Sequence, residues 1–163
     1  MKAKLMVTLV VGLAGLGVTA GAVMATDGSG FTAAQQWKGV FGEIDVHDVE
    51  MPGHQIKLKT KGFSDVYVTR NAIAVGGHSG WHTHPGPSLI MVTVGEIVAY
   101  EGDDPTCTGT VYKAGEGFVD PGDGHVHLLR NESGAPAETV AVQFLPQGAT
   151  RRIGSPDPGT CPF

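Results

Sequence analysis

The chain carries seven histidines, and four of them stand in two H-x-H pairs, His82-Thr83-His84 and His125-Val126-His127. On a β-strand, residues i and i+2 point to the same face, with Cα atoms about 6.5–7 Å apart. Two imidazoles so placed can converge on one ion, and a third from a neighbouring strand closes the set. Imidazole suits zinc, copper, iron and nickel. One such pair is more often a surface accident than a ligand pair. Two pairs, each flanked by glycine turns and followed by apolar strand residues, point to a metal site. The other histidines carry less. His78 lies in the loop Gly77-His78-Ser79-Gly80 and reads as a solvated loop residue, while His47 and His54 fall outside the pattern.

The neighbours of the two pairs extend the signal. Gly76, His82, His84 and Gly95 have the spacing of the first cupin motif, G-x5-H-x-H-x3,4-E-x6-G. Gly115, Pro121, His127 and Asn131 follow the second, G-x5-P-x-G-x2-H-x3-N, with one extra residue between Pro121 and His127. His84-Pro85-Gly86-Pro87 is similar to the family's H-P-G-P turn. Residues 66–145 thus resemble the cupins. The resemblance implies an antiparallel barrel (a double-stranded β-helix, or jelly roll) of roughly six to ten strands. It also implies a metal inside, near the mouth, held by His82, His84 and His127.

One departure bears on the chemistry. Ser88 stands where the family usually has its glutamate ligand, and a neutral hydroxyl is a poor ligand for a divalent ion. The resemblance therefore implies a three-histidine site, as in some cupin dioxygenases, with positions open to water, dioxygen or substrate. His125 is a candidate fourth ligand; the other reading is a rim histidine that supports His127. The expected cofactor is a divalent transition metal: zinc, manganese, iron, copper or nickel. With three neutral ligands it keeps its full charge, acidifies bound water and attracts an anionic or enolate-type ligand.

Holding three imidazoles together takes a rigid scaffold, and the composition favours strands. The chain has 163 residues, enough for one domain. Its 25 glycines and 10 prolines show no three-residue period, which excludes collagen. A hydrophobic share of 41% can build a core, which excludes a disordered chain. Apolar stretches alternate with turns at residues 40–46, 56–59, 66–68, 73–75, 89–94, 97–100, 110–112, 117–119, 125–131 and 139–145. Such spacing predicts one all-β domain, a sandwich or barrel. Residues 31–37 fit either a helical turn or an edge strand, and residues 26–30 read as a flexible lead. The expected organisation is N-terminal strands over 26–65, a core barrel over 66–146 and a tail over 147–163.

Lys2 and Lys4 precede an uncharged run that ends in Val23-Met24-Ala25. This predicts a secretory signal at 1–25 cut after Ala25, with Ala20 as a second site. A retained membrane anchor is the alternative. Either reading places the domain outside the cytoplasm. In that compartment Cys107 and Cys161 are expected to pair. The bridge closes a loop of 55 residues, both cysteines included, and contributes roughly 4 kcal/mol at most. Neither cysteine sits beside a histidine or in a C-x-x-C pair, so thiol catalysis has no support.

Sixteen acids against eleven bases, with no basic run, exclude nucleic acid and anionic membrane surfaces as partners. A small-molecule ligand is the expected partner, and a homodimer through edge strands stays open. Asn131-Glu132-Ser133 matches the glycosylation triplet, yet Asn131 shares a face with His127 and is expected to be buried. Asp120 and Asp123 flank Pro121-Gly122 as turn formers; a role as acid or base at the barrel mouth is the alternative. Trp81 reads as core or pocket wall. No nucleophile elbow supports a hydrolase. The function expected is an exported, metal-binding cupin, either an oxygenase acting on a small organic substrate or an isomerase-like cupin, with a non-catalytic metal- or ligand-binding module as the rival.

Overall fold

A computed structural model describes residues 24–163 and, within them, all side chains except those of residues 47–50. The expected signal run lies outside the described residues apart from Met24 and Ala25.

The described residues form twelve strands and no helix: β1 (Ser29–Phe41), β2 (Asp45–Met51), β3 (His54–Lys59), β4 (Ser64–His78), β5 (His82–Thr83), β6 (Ser88–Val94), β7 (Glu96–Glu101), β8 (Thr110–Lys113), β9 (Gly117–Asp120), β10 (His127–Arg130), β11 (Ala137–Pro146) and β12 (Ile153–Gly154). All pairings are antiparallel. One face of the barrel runs β1-β4-β11-β6-β9, and the other collects β12, β5, β10, β7 and β8. The two faces join where the end of β4 reaches β10, at His78 opposite Arg130. Backbone bonds from Gly76 to Asn131 and from Ser79 to Leu129, each 2.9 Å, extend that seam. The result is a nearly closed antiparallel barrel of the cupin type, with β2 and β3 as a separate hairpin.

Period-two alternation explains the inward faces. Along β11, Ala137, Thr139, Ala141, Gln143 and Leu145 are buried while the residues between them are more exposed. Ile73, Val92, Ile97, Ala99, Leu129 and Ala137 make one apolar cluster, against which Phe31 packs. Trp81, Val98, Tyr100 and Leu128 make a second around Cys161. The expected disulfide is present, Cys107 to Cys161, with Cα atoms 5.1 Å apart. It ties the tail to that second cluster.

Two local expectations change, and one that was open between helical turn and edge strand is decided for the strand. Residues 26–30 are no flexible lead: Thr26 donates its N–H to the Ser155 carbonyl at 2.9 Å. Its hydroxyl accepts the Trp81 N–H at 2.7 Å. Residues 31–37 belong to β1, which pairs along β4. The stretches at 66–68 and 73–75 are one strand, because Arg70 and Asn71 pair with Ala34 and Ala33 on one side and with Val140 and Thr139 on the other.

Candidate metal centre

His82 opens β5 and sits directly opposite His127, the first residue of β10. His84 follows two residues later, at the start of the His84-Pro85-Gly86-Pro87 turn. The three rings meet: centroids lie 4.9 Å apart for His82 and His84, 4.3 Å for His82 and His127, and 5.5 Å for His84 and His127. One nitrogen of each falls within 4.8 Å of the others, and all three residues are buried. Three buried histidines so arranged can bind a metal ion.

Their hydrogen bonds fit that use. His82 Nδ1 lies 2.8 Å from the Gly80 carbonyl, and His84 Nδ1 lies 2.6 Å from the Arg151 carbonyl. A carbonyl can only accept, so both Nδ1 atoms carry protons and both Nε2 atoms keep a free lone pair. Burial also disfavours the charged rings. It pushes His82 down to about 2 and His127 to about 4, and it lowers His84. Neutral imidazole is the form a metal takes.

A buried carboxylate stands beside the three rings. Asp120 ends β9 and pairs in register with Ser88 on β6. Its Oδ1 accepts the Gly122 N–H at 3.0 Å, and its Oδ2 accepts the Ser88 hydroxyl at 3.4 Å. Asp120 Oδ2 lies 3.9 Å from His84 Nε2, and Oδ1 lies 3.6 Å from His127 Nδ1. The expected turn-forming role captures only the bond to Gly122. Glycine brings the two motif turns this close. Gly122 has φ +69°, and a Cβ there would run into the Gly86 backbone.

His125 is not one of the three converging rings, but with Asp120 and His127 it forms a second group whose possible ligand atoms lie within 4.8 Å of one another. It precedes β10 in a turn, because its N–H bonds the Gly122 carbonyl at 3.1 Å and the strand starts only at His127. Its Nε2 lies 2.7 Å from Glu101 Oε2 and its Nδ1 3.6 Å from Asp120 Oδ1, so it stands between the two carboxylates. Ser88 reaches Asp120 and also accepts from Gln143 Nε2 at 3.2 Å. His78 is half-buried at the end of β4 and its Nδ1 accepts the Gly80 N–H. Asn131 is fully buried, and its amide donates to the carbonyls of Ile73 and Ala135. Trp81 is core.

Sequence reasoning missed three contributors. Gln143 is the one amide on the inward face of β11, a polar residue in an apolar alternation, and that is a readable signal. Arg151 Nη1 donates to Gln143 Oε1 at 3.0 Å, and Arg152 Nη2 donates to the Ser79 carbonyl. Both arginines line a cavity of about 40 Å³ together with His82, His84, His127 and Gln143. They sit in the tail, where nothing in the sequence connects them to the barrel interior.

No protein-family profile matches the chain. No curated protein matches it either. Among solved structures, an oxalate oxidase bound to the substrate analogue glycolate is 29% identical over 72% of this chain and 54% of its own, with a TM-score of 0.47. The chain thus spans about half the length of that enzyme. A cupin superfamily protein from Desulfitobacterium hafniense is 11% identical over 69% of this chain and 82% of its own, TM-score 0.44. A predicted oxalate decarboxylase from Thermotoga maritima is 22% identical over 53% and 84%, TM-score 0.41. The barrel topology and the gathering of both motifs' histidines inside it agree with the cupin resemblance carried by the two motifs.

Proposed function

We propose that the barrel holds one divalent transition metal through His82, His84 and His127 and presents it to a small anionic organic ligand. The observation that carries this reading is the pair of Nδ1–H bonds to the Gly80 and Arg151 carbonyls, which leave two Nε2 lone pairs free in a buried site. A bound divalent ion would act as a Lewis acid, activating water or a coordinated ligand. The ion is zinc, manganese, iron, copper or nickel.

The surrounding residues define the ligand. A cavity of about 40 Å³ has room for a few waters, at roughly 10–15 Å³ each, so the ligand has few heavy atoms. Arg151 and Arg152 hold two cationic groups at that cavity while donating to neutral oxygens. A short carboxylate suits both. The Cys107–Cys161 bridge supports a location outside the cytoplasm, as for an exported protein.

Oxygenase chemistry is the reaction class we favour. A non-catalytic metal- or ligand-binding module is the second reading, favoured by the small cavity and by serine at position 88. Metal content by mass spectrometry, in wild type and His84→Ala, tests the site: equal content in both would remove it. Oxygen uptake and product analysis follow, with oxalate, glycolate, malonate, thiols, diketones and phenolic acids. Turnover of one of them establishes the enzyme. Background rates throughout, with metal retained, leave the binding module.

A further inference from the structure

We infer that Asp120 supplies the metal-site carboxylate that Ser88 does not, so that the acid ligand comes from β9 and the second motif instead of β6 and the first. This rests on the three-histidine reading above.

The strand register makes the substitution spatially direct. Ser88 and Asp120 are cross-strand partners, and the serine hydroxyl donates to Asp120 Oδ2. A carboxylate on either residue of that pair therefore faces the same interior. The two oxygens of Asp120 address different histidines. Oδ2 is 3.9 Å from His84 Nε2, and Oδ1 is 3.6 Å from His127 Nδ1. These separations are too long for hydrogen bonds, but two metal bonds of about 2.0–2.2 Å can span them.

Two observations favour a cation beside Asp120. His127 is 3% exposed, and its buried Nδ1, the nitrogen nearest the carboxylate, has no hydrogen-bond partner. Asp120 itself is 2% exposed, and the hydrogen bonds it accepts come from the neutral donors Gly122 N–H and Ser88 O–H. A buried carboxylate with neutral donors alone carries a large desolvation cost. An ion bound between it and the histidines removes that cost. His125, paired with Glu101, also brings its Nδ1 within 3.6 Å of Asp120 Oδ1.

Cobalt(II) titration tests this, with affinity measured by chelator competition and coordination read from the visible absorption bands. Asp120→Asn keeps the shape and removes the ligand charge. It should weaken cobalt binding by more than about 100-fold, beyond the roughly 10–100-fold loss expected for a supporting partner, and change the absorption bands. The swap Ser88→Asp/Asp120→Ser returns the carboxylate from the opposite strand and should recover binding relative to Asp120→Asn. Unchanged affinity and bands in Asp120→Asn would overturn the assignment. So would weaker binding with unchanged bands, since the carboxylate would then only orient His127. The thermal transition of each metal-free variant verifies folding. Failure of the underlying reading looks different: wild type binds no cobalt, or His84→Ala binds it equally well.

Discussion

The two sides of the histidine cluster are held by different means. On the β5 side, His82 and His84 are each oriented by a backbone carbonyl, Gly80 within the same turn and Arg151 from the tail. On the β9–β10 side, His127 Nδ1 closes no such bond, the backbone of His125 acts on its ring only as a minor influence, and side chains surround it: Asp120, His125 and, beyond them, Glu101. Ligands oriented by backbone are insensitive to their neighbours' identities. Ligands oriented by side chains can be retuned by single substitutions. The first side supplies rigidity, and the second sets charge and chemistry.

The sharpest break of that comparison is deletion of a ring on either side. His82→Ala and His127→Ala should each reduce metal retention by more than about 100-fold, beyond the roughly 10–100-fold effect of losing a supporting partner. Equilibrium dialysis checks this, and retention in His127→Ala alone would reassign the second side. Next in size is the bridge that secures the β5 side, because the tail carries Arg151 and pairs β12 with β5. Cys161→Ser should cost up to about 4 kcal/mol. That is roughly 8–16 °C in melting temperature for a chain of this length, measurable by calorimetry with and without reductant.

Acid should then act on both sides. His82 and His127 fall to about 2 and about 4 in the folded protein, against about 6.5 unfolded. The unfolded chain therefore binds more protons below that value, and stability rises with pH across the window. The metal-free protein should be fully stable above about pH 6.5 and lose on the order of 4 kcal/mol by pH 5. Urea unfolding against pH measures the slope, and a flat profile would show these rings protonated or exposed. Gly122→Ala is expected to cost about 1–3 kcal/mol through its positive φ and the clash with Gly86. It should disturb the β9–β10 side first, visible as altered cobalt bands. Breaking Arg70–Glu138, a largely exposed pair distant from the cluster, should change stability by less than about 1 kcal/mol and leave metal affinity alone.

Much of the architecture could be read along the chain because strand alternation and turn residues are local signals. The inward residues of β11 and the burial of Asn131 follow that logic, while the closure of Cys107 on Cys161 followed from two cysteines in an oxidising compartment. Two expected strands merged into β4 because the polar residues Arg70 and Asn71 between them are paired on both sides. Asn71 in fact points inward and donates to Thr139 Oγ1 at 2.9 Å, a partner 68 residues away. His125 looked like a strand residue from its H-x-H spacing, yet the turn closed by its own N–H keeps it out of β10.

The sequence alone determined that there are two histidine motifs, that they belong in an all-β barrel, and that the first lacks its acid. Those properties are matters of residue type and short spacing. Only the tertiary structure decided where an acid lies instead, which carbonyls set the histidine tautomers and which arginines reach the cavity. Asp120 faces Ser88 across 32 positions and Arg151 reaches His84 across 67. Contacts between strands so far apart depend on barrel closure and register, and neither is written in any local stretch of chain.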